Sequence, residues 1–194
     1  MKVGLFFGSF NPIHIGHLII ANSMKELTDL DQVWFVVSPL SPFKSSKSLL
    51  PDIDRLRMVE LAIADNYDLM ASNVEFGMPK PSYTIDTLAY LTDRHPQHAF
   101  KVILGEDNLT HFHKWKNHEE ILNTYGLYIY PRPATKNTER MKEIKSQSSV
   151  KIVEAPLIDV SATFIRDCVR NDISIKYLVH DDVADYIRAN KLFL

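Results

Sequence analysis

Val3-Gly4-Leu5-Phe6-Phe7 runs straight into Gly8-Ser9-Phe10-Asn11-Pro12-Ile13-His14-Ile15-Gly16-His17, and the reading of that stretch decides the fold. A short apolar run without polar alternation is the pattern of a strand covered on both faces. The glycine after it permits a sharp turn and the close approach of a ligand to the main chain. A helical pattern over residues 15–27 follows. Strand, glycine turn and helix start, in that order, open a doubly wound sheet. The free N–H groups and positive dipole end of such a helix favour an anion. His14 and His17, three apart, lie on one face one turn from each other. Gly16 between them leaves room for a phosphate or a base. A catalytic zinc would want a third protein ligand and commonly an i, i+4 histidine pair, so no metal site is expected. The chain has no nucleophile elbow and no Walker-type phosphate loop, which points to positioning and charge stabilisation rather than covalent catalysis.

Outward from this stretch the alternation repeats. Val33–Val37, Leu69–Val74, Phe100–Leu104, Leu127–Tyr130 and Val150–Val153 read as further strands. Helical patterns lie near 52–65, 83–94, 107–123, 136–146, 161–170 and 181–190. The pattern predicts an α/β chain of one domain over residues 1–194, a doubly wound (Rossmann-like) parallel sheet with helices on both faces. Two irregular segments, 38–51 and 76–82, follow the second and third strands, at the carboxyl ends where such sheets bind ligands. The charged run 136–151 reads as a solvated helix face.

With 45% hydrophobic and 24% charged residues among 194, the chain can bury its own core without staples. A formal net charge of −2 speaks against a protein built to grip nucleic acid. Cys168 is the only cysteine, so it forms no internal disulfide and reads as a buried thiol in a reducing compartment. The N-terminal apolar run is too short for a signal peptide, and no stretch approaches a membrane span. A cytoplasmic location is expected, with homo-oligomerisation left open.

A second anion site is legible in Val160-Ser161-Ala162-Thr163-Phe164-Ile165-Arg166. Ser161 is a good N-cap, Thr163 adds a hydroxyl in the first turn, and Arg166 projects one turn on with a planar guanidinium. In a doubly wound sheet it would sit beside the His14/His17 helix.

Together these motifs resemble the nucleotidyltransferase superfamily related to class I synthetases, and within it the bacterial nicotinate-nucleotide adenylyltransferase family. That family's Gly-x-Phe-Asp-Pro-x-His-x-Gly-His is matched from Gly8 to His17, with Asn11 in place of Asp. Its lysine in a Pro-rich loop is matched by Pro42-Phe43-Lys44, where Phe43 stands in a position often held by His. Pro81 to Leu88 match its Pro-Ser-Tyr-Thr-x-Asp-Thr-Leu run in full. Gly105, Asp107, Trp115 and Lys116 match its Gly-x-Asp and Trp-Lys. The closing Ile-Ser-x-Thr-x-Ile-Arg is matched from Val160 to Arg166, with Ala162 where a second Ser is common.

The resemblance implies adenylyl transfer from ATP to nicotinate mononucleotide, giving nicotinate adenine dinucleotide and pyrophosphate in NAD biosynthesis. It implies His14, His17, Lys44 and Arg166 as catalytic residues. ATP would be bound by Gly8, Ser9, Phe10, His14, His17, Gly105, Asp107, Ser161, Thr163 and Arg166. Nicotinate mononucleotide would be bound by Lys44, Tyr83, Thr84, Trp115 and Arg132. Mg2+ would enter mainly on the ATP phosphates. His-Ile-Gly-His and Lys44-Ser45-Ser46-Lys47-Ser48 also look like the two signatures of class I aminoacyl-tRNA synthetases. There the second signature lies far downstream, and no tRNA-binding extension is present here. A sister enzyme such as pantetheine-phosphate adenylyltransferase and a non-catalytic nucleotide-binding module are the remaining alternatives.

Overall fold

In a computed structural model that describes residues 1–39, 49–132 and 138–194, six strands form one parallel sheet. They are β1 (Lys2–Gly8), β2 (Gln32–Val37), β3 (Leu69–Ser72), β4 (Ala99–Gly105), β5 (Leu127–Tyr130) and β6 (Val150–Ile152). Their order is β3-β2-β1-β4-β5-β6, so the winding reverses between β1 and β4. That reversal opens a crevice at the carboxyl ends of the two strands. Lys2 pairs with Ala99 and Phe6 with Ile103. Continued for two residues, this register sets Gly8 opposite Gly105 at the crevice floor.

Alternation along each strand divides the core into two layers. Phe6, Val33, Phe35, Val37, Ile103 and Tyr128 face one side. Against them pack α1 (Ile15–Glu26), α2 (Asp52–Ala62), α7 (Ala162–Arg170) and α8 (Asp181–Ala189). Leu5, Val36, Val102, Leu104 and Ile129 face the other side. They meet α3 (Thr84–Arg94), α4 (Leu109–Phe112) and α6 (Glu139–Lys145), with α5 (His118–Glu120) between α4 and a π turn over Ile121–Tyr125. Strands buried on both faces account for the continuous apolar runs in the sequence. Cys168 is a buried free thiol. Among the described residues no helix is long and apolar enough to cross a membrane.

The single helix expected over 107–123 does not form. A 3-10 turn (Glu106–Asn108), α4, α5 and the π turn replace it, and Asn117 takes a left-handed φ of 49° before α5. Phe112 and Ile121 are both fully buried, and the break lets each reach the core while Trp115 turns towards the crevice. β3 stops at Ser72, and a 3-10 turn (Val74–Gly77) occupies the start of the expected loop. Lys145, read as part of a solvated face, pairs with Glu106 and is largely covered.

Candidate active site

The floor of the crevice is shaped by its two glycines. A Cβ on Gly8 would lie 2.7 Å from the Phe10 ring, and one on Gly105 would lie 3.0 Å from the Tyr130 hydroxyl. Phe10 holds a left-handed φ of 45° and is 2% exposed. Its ring meets Phe6, Phe35 and His17 edge-on at centroid distances of 5.9, 5.4 and 5.1 Å. Phe10 is among the residues expected to bind ATP. The ring is a core anchor that bends the loop, leaving only its backbone for the crevice.

His14 is the N-cap of α1 and His17 its third residue. Their imidazoles stack at 3.7 Å, and the His14 amide donates to His17 Nδ1 at 3.2 Å. An accepting Nδ1 leaves the proton of a neutral His17 on Nε2. His14 is buried, and its Nδ1 has no hydrogen-bond partner among the described residues. Burial, and after it the positive charge of Arg132, pulls the His14 pKa from 6.5 down to about 4. At neutral pH this imidazole is therefore an uncharged hydrogen-bonding group, and the positive charge nearby belongs to arginines. A Cβ on Gly16 would lie 3.1 Å from His14 Nδ1. The room that Gly16 makes is thus taken by the His14 ring, a correction to the expectation of ligand space there.

The C-terminal motif reaches the same loop. Ser161 Oγ caps α7 by accepting from the Phe164 amide at 3.2 Å. Arg166 donates from Nη1 to the Asn11 carbonyl at 2.9 Å and from Nη2 to Thr163 Oγ1 at 3.1 Å. Asn11 in turn accepts from the Leu50 amide through Oδ1 at 3.1 Å. The amide at the position where the related pattern has Asp is therefore a buried tie between loops.

From the other side come Arg132 and Asp107. The Arg132 guanidinium lies over the Tyr130 ring at 5.1 Å, and its Nε is 3.9 Å from Asp107 Oδ1. Its amide donates to Glu106 Oε2 at 3.3 Å, while Glu106 Oε1 takes Lys145.

A cleft of about 340 Å³ runs from Gly8 and Ser9 past Asp107 to Tyr83, Thr84 and Trp115. α3 begins at Thr84 with Tyr83 as its N-cap, so the first-turn amides open here. Trp115 packs against Phe112 at 5.5 Å and keeps part of its surface in the cleft. Lys116 Nζ sits over the Tyr83 ring at 5.2 Å and binds both Asp86 oxygens at 2.8 Å. Lys44 lies outside the described residues.

Two residues of the site were not foreseen. Arg55 is fully buried and donates to the carbonyls of Ser9 (2.6 Å), Ser38 (2.8 Å) and Leu50 (3.1 Å) while pairing with Asp52. It binds the loop after β1 to the loop after β2. Its signal was its place on the apolar stripe shared with Val59 and Ala62 at helical spacing. Glu75, buried in the 3-10 turn, accepts from Ser82 Oγ at 2.7 Å and Thr87 Oγ1 at 2.8 Å. A lone acid between Val74 and Phe76 carries no such signal.

Hydrogen-bond donors for an anion gathered at the switch point of a doubly wound sheet, with an aromatic-walled cleft leading off them, define a nucleotide-handling site of the nucleotidyltransferase type. The comparisons are more particular. A chain from Cytophaga hutchinsonii named "Probable nicotinate-nucleotide adenylyltransferase" is 54% identical over 193 residues, covering 100% of this chain and 98% of its own. One of the same name from Flavobacterium johnsoniae is 45% identical, covering 100% and 99%. The Plasmodium falciparum nicotinic acid mononucleotide adenylyltransferase complexed with NaAD shares the fold at a TM-score of 0.81 and 20% identity, over 99% of this chain and 97% of that one. The chain belongs to the cytidylyltransferase-like family, whose model matches residues 5–168, and within it to the nicotinate-nucleotide adenylyltransferases.

Proposed function

We propose that the protein transfers the adenylyl group of ATP to nicotinate mononucleotide. A phosphate oxygen of the mononucleotide forms a bond to the α-phosphorus of ATP. The bond from that phosphorus to the bridging oxygen breaks, and pyrophosphate leaves with the electron pair. The products are nicotinate adenine dinucleotide and pyrophosphate. The observation that carries this reading is the cleft that joins Gly8 and Ser9, on the loop leading to the histidine pair, to Tyr83, Thr84 and Trp115.

In this reading Gly8, Ser9, the Phe10 backbone, Gly105, Asp107, Ser161 and Thr163 border the ATP. His14, His17 and Arg166 hold its phosphates and stabilise the charge that gathers on them, with Lys44 assisting. His14 contributes as a neutral imidazole, so the cationic share falls to Arg166, Arg132 and Lys44. Lys44, Tyr83, Thr84, Trp115 and Arg132 receive the acceptor. Among the described residues no group of three or more His, Cys, Asp or Glu stands ready for a metal. Magnesium carried on phosphate oxygens fits that arrangement, with Asp107 as the side chain at the cleft able to meet it or one of its waters. When bound it neutralises charge on the departing pyrophosphate. The test is pyrophosphate release from ATP with nicotinate mononucleotide and, separately, pantetheine phosphate. Release only with the former supports the reading; release only with the latter, or with neither, refutes it.

A further inference from the structure

Glu75 is a carboxylate at 2% exposure in the wall of the cleft, and both its oxygens are spoken for. Oε2 accepts from Ser82 Oγ at 2.7 Å and Oε1 from Thr87 Oγ1 at 2.8 Å. Thr87 Oγ1 also lies 3.4 Å from the Tyr83 carbonyl, but a hydroxyl has one proton and the shorter contact to a charged oxygen claims it. These two donors bracket Tyr83 and Thr84, the N-cap and first residue of α3. Tyr83 makes no side-chain capping bond, so the usual device for fixing a helix start is missing here. Glu75 supplies the fixing from outside, gripping the chain just before the cap and again in the second turn. Fully hydrogen-bonded buried charges of this kind hold geometry, and loss of one partner leaves the others unsatisfied.

We propose that Glu75 is the positioning residue of the acceptor half of the site, setting the Tyr83–Thr84 helix start against which the mononucleotide's acid group docks. The proposal rests on the reading of the acceptor as nicotinate mononucleotide. Glu75 itself touches no reacting atom. Its effect passes through Ser82 and Thr87, and it has no contact with the His14, His17 and Arg166 side.

Steady-state kinetics of Glu75→Gln beside wild type test this. Gln can still accept from one hydroxyl, but its NH2 meets the other, which must turn its proton away to accept, so both grips lose their charge assistance and one is reversed. The KM for nicotinate mononucleotide should rise about tenfold while the KM for ATP stays within about twofold. The preference for acid over amide mononucleotide should narrow. Equal shifts in both KM values, or none in a folded variant, would overturn the proposal. Should Glu75→Gln fail to fold, Thr87→Val and Thr87→Ser decide. Val should reproduce the one-sided KM rise and Ser, which keeps the hydroxyl, should restore it; a rise with both or with neither would overturn the proposal. Wild type without turnover of nicotinate mononucleotide would remove the substrate reading itself, which the same assay separates from an insensitive Glu75.

Discussion

The imidazoles of His14 and His17 stack at 3.7 Å with 26° between their planes, and the amide of the first donates to Nδ1 of the second. One ring is thus fixed by its neighbour's main chain. A neutral ring so fixed carries its proton on Nε2, where it can donate. In His17→Ala, kcat should fall roughly 10²–10³-fold if that donor meets charge developing on the phosphates. Because the ring also accepts the His14 amide and packs on Phe10, the fold should lose about 1 kcal/mol as well. Single-turnover kinetics and urea denaturation on one preparation separate the two effects. An unaltered chemical step would exclude the role.

Stability should fall with acidity in a defined window. The folded pKa of His14, about 4, lies below its ordinary value of 6.5. Between those values the unfolded chain binds a proton that the folded chain, with the ring buried and Arg132 nearby, refuses. Stability is therefore whole above the unfolded value and drains away as pH falls towards the folded one, by at most about 3 kcal/mol. Urea titrations from pH 7 to pH 4.5 should show this slope, and His14→Asn should flatten it. Parallel curves for the two proteins would refute the assignment.

Arg166 is held by the Asn11 carbonyl and Thr163 Oγ1 through two separate nitrogens. Lysine keeps the charge but cannot hold that fork. In Arg166→Lys the KM for ATP should rise about tenfold, with the KM for the mononucleotide little changed. Equal losses for both substrates would place Arg166 in the structure of α7 alone.

Removal of Arg55 should be felt as loss of fold first. Arg55→Met would leave the carbonyls of Ser9, Ser38 and Leu50 without their buried donor and Asp52 with Lys80 alone among the described residues. A cost of about 3–5 kcal/mol is expected, read from the denaturation midpoint. A cost under about 1 kcal/mol would show that the loops are held by other means.

The strands were legible because burial on both faces leaves uninterrupted apolar runs, and the placement of Leu127–Tyr130 matches residue for residue. The helix at 107–123 was not, since Asn117 breaks it by backbone conformation and the apolar spacing on either side still reads as helical. His14, His17, Tyr83 and Trp115 stood out by residue type and spacing next to a strand end. Gly16 was found but misread, because only packing shows that a ring fills the space beside it; the same packing turns the Phe10 ring inwards. Arg55 and Glu75 act through contacts 46 and 7–12 residues away in sequence, and such ties leave no periodic trace.

The central claim is adenylyl transfer to the acid mononucleotide. Amides opening at the start of α3 and the Thr84 hydroxyl offer donors, which suit a carboxylate and meet an amide NH2 donor against donor. A pyridine ring stacked on Trp115 would do so whichever group it carries, so on this reading Trp115→Ala should weaken both substrates and largely spare their ratio. The most direct measurement is the rate of pyrophosphate release from ATP and Mg2+ with nicotinate mononucleotide against nicotinamide mononucleotide. The acid should lead in kcat/KM by about two orders of magnitude or more; comparable rates on the two would contradict the claim.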